Sequence, residues 1–265
     1  IKAHLQKKGF TAKLMSGQEM PLWQIGRKAK DGRPYVDLEK STYIVGILGL
    51  NECLQYMMDK ELHDGEEALR QGLRIIAFMY QKIKEAGKKH GLKFSLEESP
   101  AESASRRLAK IDVKNYPKAR ELVKGSMERD EFYYTNSVHL RPNAPVDMLN
   151  RIILQSKFHT LIESGAIIHA FCGEERPSAT SIMNLVKKTF KNTQAAQVTI
   201  SPEFTVCTVC NRLSSRLTDQ CDHCNASNVY GIQRLDSYET RLANWDASKA
   251  KALAERYKED SFVLT

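Results

Sequence analysis

Apolar positions along the chain alternate between strand-like and helix-like patterns. Tyr43-Ile44-Val45-Gly46-Ile47-Leu48 is apolar on both faces of an extended chain, the pattern of a parallel strand covered on both sides. From about Glu66 to Gly87, Leu69, Leu73, Ile76, Tyr80 and Ile83 recur at steps of four and three, which places them on one helix face. Residues 92–96 alternate as a short strand. Ser99-Pro100-Ala101-Glu102 predicts a helix start, with Ser99 as N-cap, Pro100 at the first helical position and Glu102 closing a capping box. Phe132 to Ser137 reads as a further strand and residues 147–163 as a helix bearing Met148, Ile152, Leu161 and Ile162. Residues 166–171 then form an apolar strand, and 178–192 a helix with Ile182, Leu185, Val186 and Phe190. Strand and helix thus take turns up to residue 192, which predicts an α/β architecture with parallel strands.

The flanks differ. Residues 1–40 are polar and broken by glycines and by Pro21 and Pro34, so they read as a connecting segment before an α/β region over 41–204. Residues 205–230 are polar, cysteine-rich and without periodicity, a small module of their own. Residues 231–265 end in a helix from about Asp246 to Tyr257. The start, Ile1-Lys2-Ala3-His4, lacks Met and a signal-peptide pattern, and reads as a chain entered in the middle.

Composition narrows the function class. At 265 residues, 42% hydrophobic and 27% charged, the chain can bury a core and is no disordered tail. Its longest apolar run, Tyr43 to Leu50, is far below the roughly 20 residues of a membrane-spanning helix. The net charge of +8 favours nucleotides or acidic partners, but the basic residues are scattered beside helix patterns, which speaks against direct nucleic-acid binding.

Six cysteines add chemistry. Cys207-x₂-Cys210 and Cys221-x₂-Cys224 are separated by ten residues. Each pair can place two thiolates on one metal from a tight turn, and four sulfurs complete a closed tetrahedron, so a structural zinc is expected. An iron–sulfur centre is the chemical alternative. His223 could replace a cysteine, although spacing favours Cys224. Cys53 and Cys172 stand alone in apolar surroundings and read as core thiols. With no disulfide spacing and no secretion signal, a reducing cytoplasm is the expected compartment.

Several strings together resemble one family. They are 43–52 (YIVGILGLNE), 95–103 (SLEESPAES), 133–137 (YYTNS), 155–159 (QSKFH), 201–205 (SPEFT) and the two cysteine pairs. In this order they resemble the C-terminal part of the anaerobic (class III) ribonucleotide reductase catalytic subunit. The resemblance implies the second half of a ten-stranded α/β barrel plus the small zinc module. It implies radical chemistry that converts ribonucleotides to deoxyribonucleotides, started by a glycyl radical that an S-adenosylmethionine-dependent iron–sulfur activase installs. The family's thiyl cysteine lies upstream of everything matched here, so a partner chain carrying the N-terminal half-barrel is expected. Where the family's radical loop has Arg-x-x-Gly-Tyr, this chain has Arg234-Leu235-Asp236-Ser237-Tyr238. Ser237 therefore stands at the position of the radical glycine, and a separate glycyl-radical polypeptide, an inactive or regulatory relative, or an engineered serine each fits that change. The resemblance places Glu98, Ser99, Ala101, Glu102 and Ser103 at the ribonucleotide substrate, and strand alternation sends Tyr134 and Asn136 to one side, where Tyr134 would meet the substrate and Asn136 could hydrogen-bond a ribose hydroxyl or formate in the catalytic centre. Glu97, Glu98 and Glu102 would repel a phosphate at that helix start. A satisfied buried amide is an equal reading of Asn136, and His159 and His169 read as packed or surface histidines.

Overall fold

The structure, a computed structural model, describes residues 11–13, 19–21, 28–34, 37, 40–98, 101–171, 177–201, 203–234, 239–242 and 247–255. It divides into a unit drawn from residues 1–45 and 81–95 and a unit drawn from 46–80 and 96–265.

In the first, β1 (Thr11–Lys13) and β2 (Glu19–Pro21) form an antiparallel ribbon. β3 (Thr42–Gly46) and β4 (Lys93–Glu97), whose last residues belong to the second unit, form a two-stranded sheet, and the Tyr43 and Phe94 rings pack 5.8 Å apart.

In the second, Gly49 stops the extended chain at φ 73 and opens α1 (Leu50–Met58). That left-handed turn is cheap only without a Cβ. α2 (Glu66–His90) buries Ala68, Leu69, Gly72 and Ile76. A Cβ on Gly72 would fall 2.9 Å from Leu62 and 3.3 Å from Phe158, so this glycine lets the helix sit directly on buried side chains. α3 (Glu102–Asn115) and α4 (Ala119–Leu122) lead into β5 (Lys124–Ser126) and β6 (Glu131–Tyr133), an antiparallel hairpin. α5 (Met148–His159) starts where the Asp147 carboxylate accepts the Asn150 N–H at 3.0 Å. β7 (Ile168–Phe171), α6 (Ala179–Asn192) and β8 (Val198–Ser201) make one parallel crossover unit. Its core is Met148, Ile152, Ile168, Ala170 and Leu185, with Ala195, Val198 and Ile200 against it. The chain then enters a four-stranded antiparallel sheet of β9 (Phe204–Cys207), β10 (Leu213–Ser214), β11 (Val229–Arg234) and β12 (Glu239–Arg241), in the order β10-β9-β11-β12. α7 (Ala247–Ala254) packs on β5 and β6, and Tyr133 Oη donates to Glu255 just beyond it at 2.8 Å.

The expected half of a ten-stranded barrel is not what the chain forms. The described strands make several small open sheets, none of them closed. Strands of two to six residues end at turns before a common sheet can grow, while β7 and β8 form the predicted parallel ladder. β3 is not covered on both faces either, since Ile44 is 50% exposed. The strand predicted over 132–137 stops at Tyr133, and Ser137 takes φ 47 in a turn. Helix α3 has Ala101 at its N-cap with no side-chain cap bond, because Ala offers no oxygen. Ser99 and Pro100, on which the predicted capping box depended, lie outside the described residues.

Candidate functional site

Two groups of side chains stand out. The first is the cysteine cluster. β9 delivers Cys207 at its last residue, and the turn after it returns the Val209 N–H to Cys207 Sγ at 3.4 Å. The second pair repeats the device, with the His223 N–H donating to Cys221 Sγ at 3.4 Å. Cys207 and Cys224 sulfurs are 3.7 Å apart, Cys210 and Cys221 sulfurs 3.6 Å, and all four lie within 4.8 Å of one another. Zinc–sulfur bonds of about 2.3 Å in a tetrahedron put sulfurs about 3.8 Å apart, so the cage has the size of the ion. These separations are far too long for disulfides. The Cys210 backbone N–H chiefly draws the Cys207 thiol down to about 7. Cys224 is pulled down by the Ala226 N–H, yet burial and the three neighbouring sulfurs push it up to about 12. Four crowded thiols cannot all ionise without a cation between them, which a divalent metal supplies. His223 turns its Nδ1 to Arg212 at 3.4 Å and is not in the cage.

The second group gathers strings that are far apart in the sequence. Gly49 N–H donates to Thr135 O at 3.0 Å, Leu50 N–H to Ser137 O at 3.4 Å, and Leu48 bridges Asn136. Glu52, in the first turn of α1, accepts the Thr135 N–H at 3.1 Å and the Thr135 hydroxyl on Oε1. Ser105 Oγ of α3 donates to Tyr134 O, and Tyr134 Oη donates to Asp112 at 3.1 Å. Glu98 lies 3.4 Å from His139. Residues 48–52 and 134–139 therefore converge with Glu98, Ser105 and Asp112 on one place.

Of the expected site residues, Asn136 and Tyr134 sit in this convergence, both half-buried. Ala101 and Ser103 stand at the start of α3, with Ser103 exposed. Glu98 is buried and turned inward. Ser99, Ser237 and Cys172 lie outside the described residues, as does the side chain of Glu102. Cys53 is exposed, contrary to its reading as a core thiol, and its Sγ lies 3.8 Å from Met57 Sδ. Of the packed and surface readings of His159 and His169, the packed one holds, since both are buried, and His159 faces Glu98.

Sequence reasoning missed Glu52. Its signal was a carboxylate just after the apolar run Tyr43 to Leu50, in the first turn of α1. Burial pushes its pKa up, partly offset by the Thr135 hydrogen bonds and by Lys124. A carboxyl raised in the fold adds stability at pH below the unfolded value of about 4.3 and loses it as pH rises through the folded value. Glu52→Gln is therefore expected to gain on the native chain between pH 4 and pH 8, by roughly 2–4 °C in relative Tm. Thermal denaturation of both chains at the two pH values checks this, and a difference in Tm that does not change with pH would contradict it.

The sequence profile of the family described as "Anaerobic ribonucleoside-triphosphate reductase" matches residues 1–258. The chain belongs to the anaerobic ribonucleoside-triphosphate reductase family. Over 141 residues it is 26% identical to the anaerobic ribonucleoside-triphosphate reductase of Haemophilus influenzae, which covers 53% of the chain and 18% of the relative. The enzyme of the same name from Escherichia coli K12 gives the same figures, and that of Enterobacteria phage T4 is 23% identical over 128 residues, 48% of the chain and 18% of the relative. Among solved structures, an anaerobic ribonucleotide reductase superposes with a TM-score of 0.69 at 20% identity, over 83% of this chain and 34% of that one. The Thermotoga maritima enzyme in complex with dATP and CTP superposes with a TM-score of 0.63 at 19% identity, over 89% and 36%. The matched region thus spans about a fifth of the curated relatives and about a third of the solved chains. Among the described residues, no helix is long and apolar enough to cross a membrane.

Proposed function

We propose that this chain is part of an anaerobic, class III ribonucleotide reductase and supplies the substrate-facing segment and a structural zinc module. The observation that supports this is the convergence of residues 48–52, Glu98 and 134–137, which lie in strings that resemble the family, with the neighbouring Ser105 and His139 bonded to them. In this reading the 99–103 string receives the ribonucleotide phosphates, and the start of α3 at Ala101 and Glu102 offers unpaired N–H groups. Asn136 presents an amide to the ribose or to the reductant. Glu52 holds the Thr135 main chain and hydroxyl, and so fixes Tyr134 and Asn136 on either side of it. The Cys207, Cys210, Cys221 and Cys224 thiolates hold zinc, which supplies structure and leaves no open position for chemistry.

In this reading the thiyl cysteine lies on sequence upstream of the region matched here. The iron–sulfur activase then installs the radical on a glycine that Ser237 does not provide, and a separate glycyl-radical polypeptide carries it. Ser237 also favours a second reading, a catalytically silent or regulatory relative that binds nucleotide or a partner subunit.

Native mass spectrometry of the untagged chain from its source, with metal analysis on the same sample, separates the two. One zinc per chain and a co-purifying chain with the upstream family sequence are expected. Anaerobic ribonucleotide reduction by that complex would support the first reading, and a stable lone chain that binds nucleotide without turnover would support the second.

A further inference from the structure

The surroundings of Glu98 explain how a carboxylate can stand beside a phosphate-binding segment. β4 ends at Glu97, and the Glu98 side chain turns inward until 1% of it is exposed. Its backbone is pinned on the same side, with the Glu98 N–H donating to Gly165 O at 2.9 Å and the Ser164 N–H to Leu96 O at 3.0 Å. Oε2 accepts the Ile167 N–H at 2.7 Å and lies 3.4 Å from His139 Nε2. Oε1 faces His159 Nε2 across 3.8 Å, and neither of these two buried atoms has a hydrogen-bond partner among the described residues.

The state of His159 follows from the other side of its ring. Nδ1 accepts the Ala196 N–H at 2.9 Å, so the neutral ring carries its proton on Nε2, toward Glu98. Burial lowers the imidazole pKa and keeps the ring neutral, against a smaller opposing pull from Glu98. This geometry does not suit a metal, because a ligating Nε2 would leave Nδ1 to donate. His139 is held edge-on to His169 at 5.8 Å, and His169 stacks on Phe171 at 5.7 Å.

We propose that Glu98, His139 and His159 form a positioning latch, in which two imidazoles, His159 with its Nε2–H, close on one buried carboxylate and so fix the point at which the chain leaves β4 ahead of residues 101–103. The latch takes those residues as the substrate segment proposed above. Glu98 then acts through the main chain and does not touch the nucleotide. Its charge is spent inside, on two rings and a backbone N–H, and is withdrawn from the phosphates. His139 and His159 become positioning residues.

Long-range ¹⁵N imidazole spectra of the full chain, labelled at histidine, test the latch directly. From about pH 6 to about pH 8 His159 is expected to hold its proton on Nε2, and Glu98→Gln is expected to move the resonances of both rings. A His159 proton on Nδ1, or rings indifferent to Glu98→Gln, would overturn it. The second readout is turnover by the complex of this chain with the polypeptide that completes it. Glu98→Gln is expected to raise KM for the ribonucleotide about tenfold while kcat changes less than about threefold, with partial rescue by Glu98→Asp. An unchanged KM in a folded, zinc-replete Glu98→Gln complex would overturn the latch. Should that variant not fold, His139→Gln, which removes one of the two rings, is read the same way. If the native complex reduces no ribonucleotide, the reductase reading falls, and the imidazole spectra alone decide the latch.

Discussion

Replacing Cys207 or Cys221 by Ser is expected to reduce the metal content of the chain from one zinc to none and to unfold residues 205–230. Both sulfurs are buried, and each accepts a backbone N–H from the turn of its own pair. Apart from these two cysteines, residues 205–230 bury only Thr205 and Ser214, so the segment has no apolar core of its own. β10 has two residues, and β9 ends on a ligand, so the sheet that β9 shares with β11 is anchored by the metal cage at one end. Structural zinc in comparably small modules contributes about 10–16 kcal/mol of apparent folding free energy, as large as the whole stability of an ordinary domain. Cys53→Ser serves as the control, since Cys53 is exposed and outside the cage. Metal analysis and limited proteolysis read the outcome, with new cleavage between residues 205 and 230 in the cage variants only. Full zinc occupancy in both variants would mean that the cage is not the metal site.

The second large effect is expected at Ser237. β11 ends at Arg234 and β12 begins at Glu239, and these two residues pair across the ribbon, so four residues join them. Ser237 is the third of the four, outside the described residues. A radical on an α-carbon is planar and delocalised over the flanking amide nitrogen and carbonyl. Glycine reaches that geometry with no Cβ to crowd its neighbours and accepts backbone conformations that serine resists. With an anaerobic activase and S-adenosylmethionine, the native chain alone is expected to give no glycyl signal in electron paramagnetic resonance. Ser237→Gly is expected to give a doublet, split by the single remaining α-hydrogen. A doublet from the native chain would place the radical on another glycine. Silence from Ser237→Gly, with an activase shown to be competent on another substrate, would mean that the chain does not engage the activase and would favour the silent relative.

The two candidate sites differ in how far they could be read in advance. Two Cys-x₂-Cys pairs specify a metal cage because ligand and spacing are both local: a tight turn places each pair, and one loop brings the pairs together. The helices α2, α5 and α6 were legible for a similar reason, since a face repeating at three and four residues buries itself wherever a core exists. The latch was invisible. Glu98, His139 and His159 are 20 or more residues apart, and nothing in any of their neighbourhoods marks one as the partner of another. Strand pairing failed likewise. The apolar run 43–48 looked covered on both faces, yet burial of β3 depends on what packs against it, and Ile44 faces out.

By itself, then, the sequence determined the cysteine cage, the principal helices, the family and the serine at position 237, all of which depend on residue type and short-range spacing. Tertiary structure alone decided that the sheets stay small and open, that Glu52 clamps Thr135, and that Glu98 turns inward to two histidines. Sheet extent and buried polar pairing are set by which distant segments displace water from one another, and that information is spread over the whole chain.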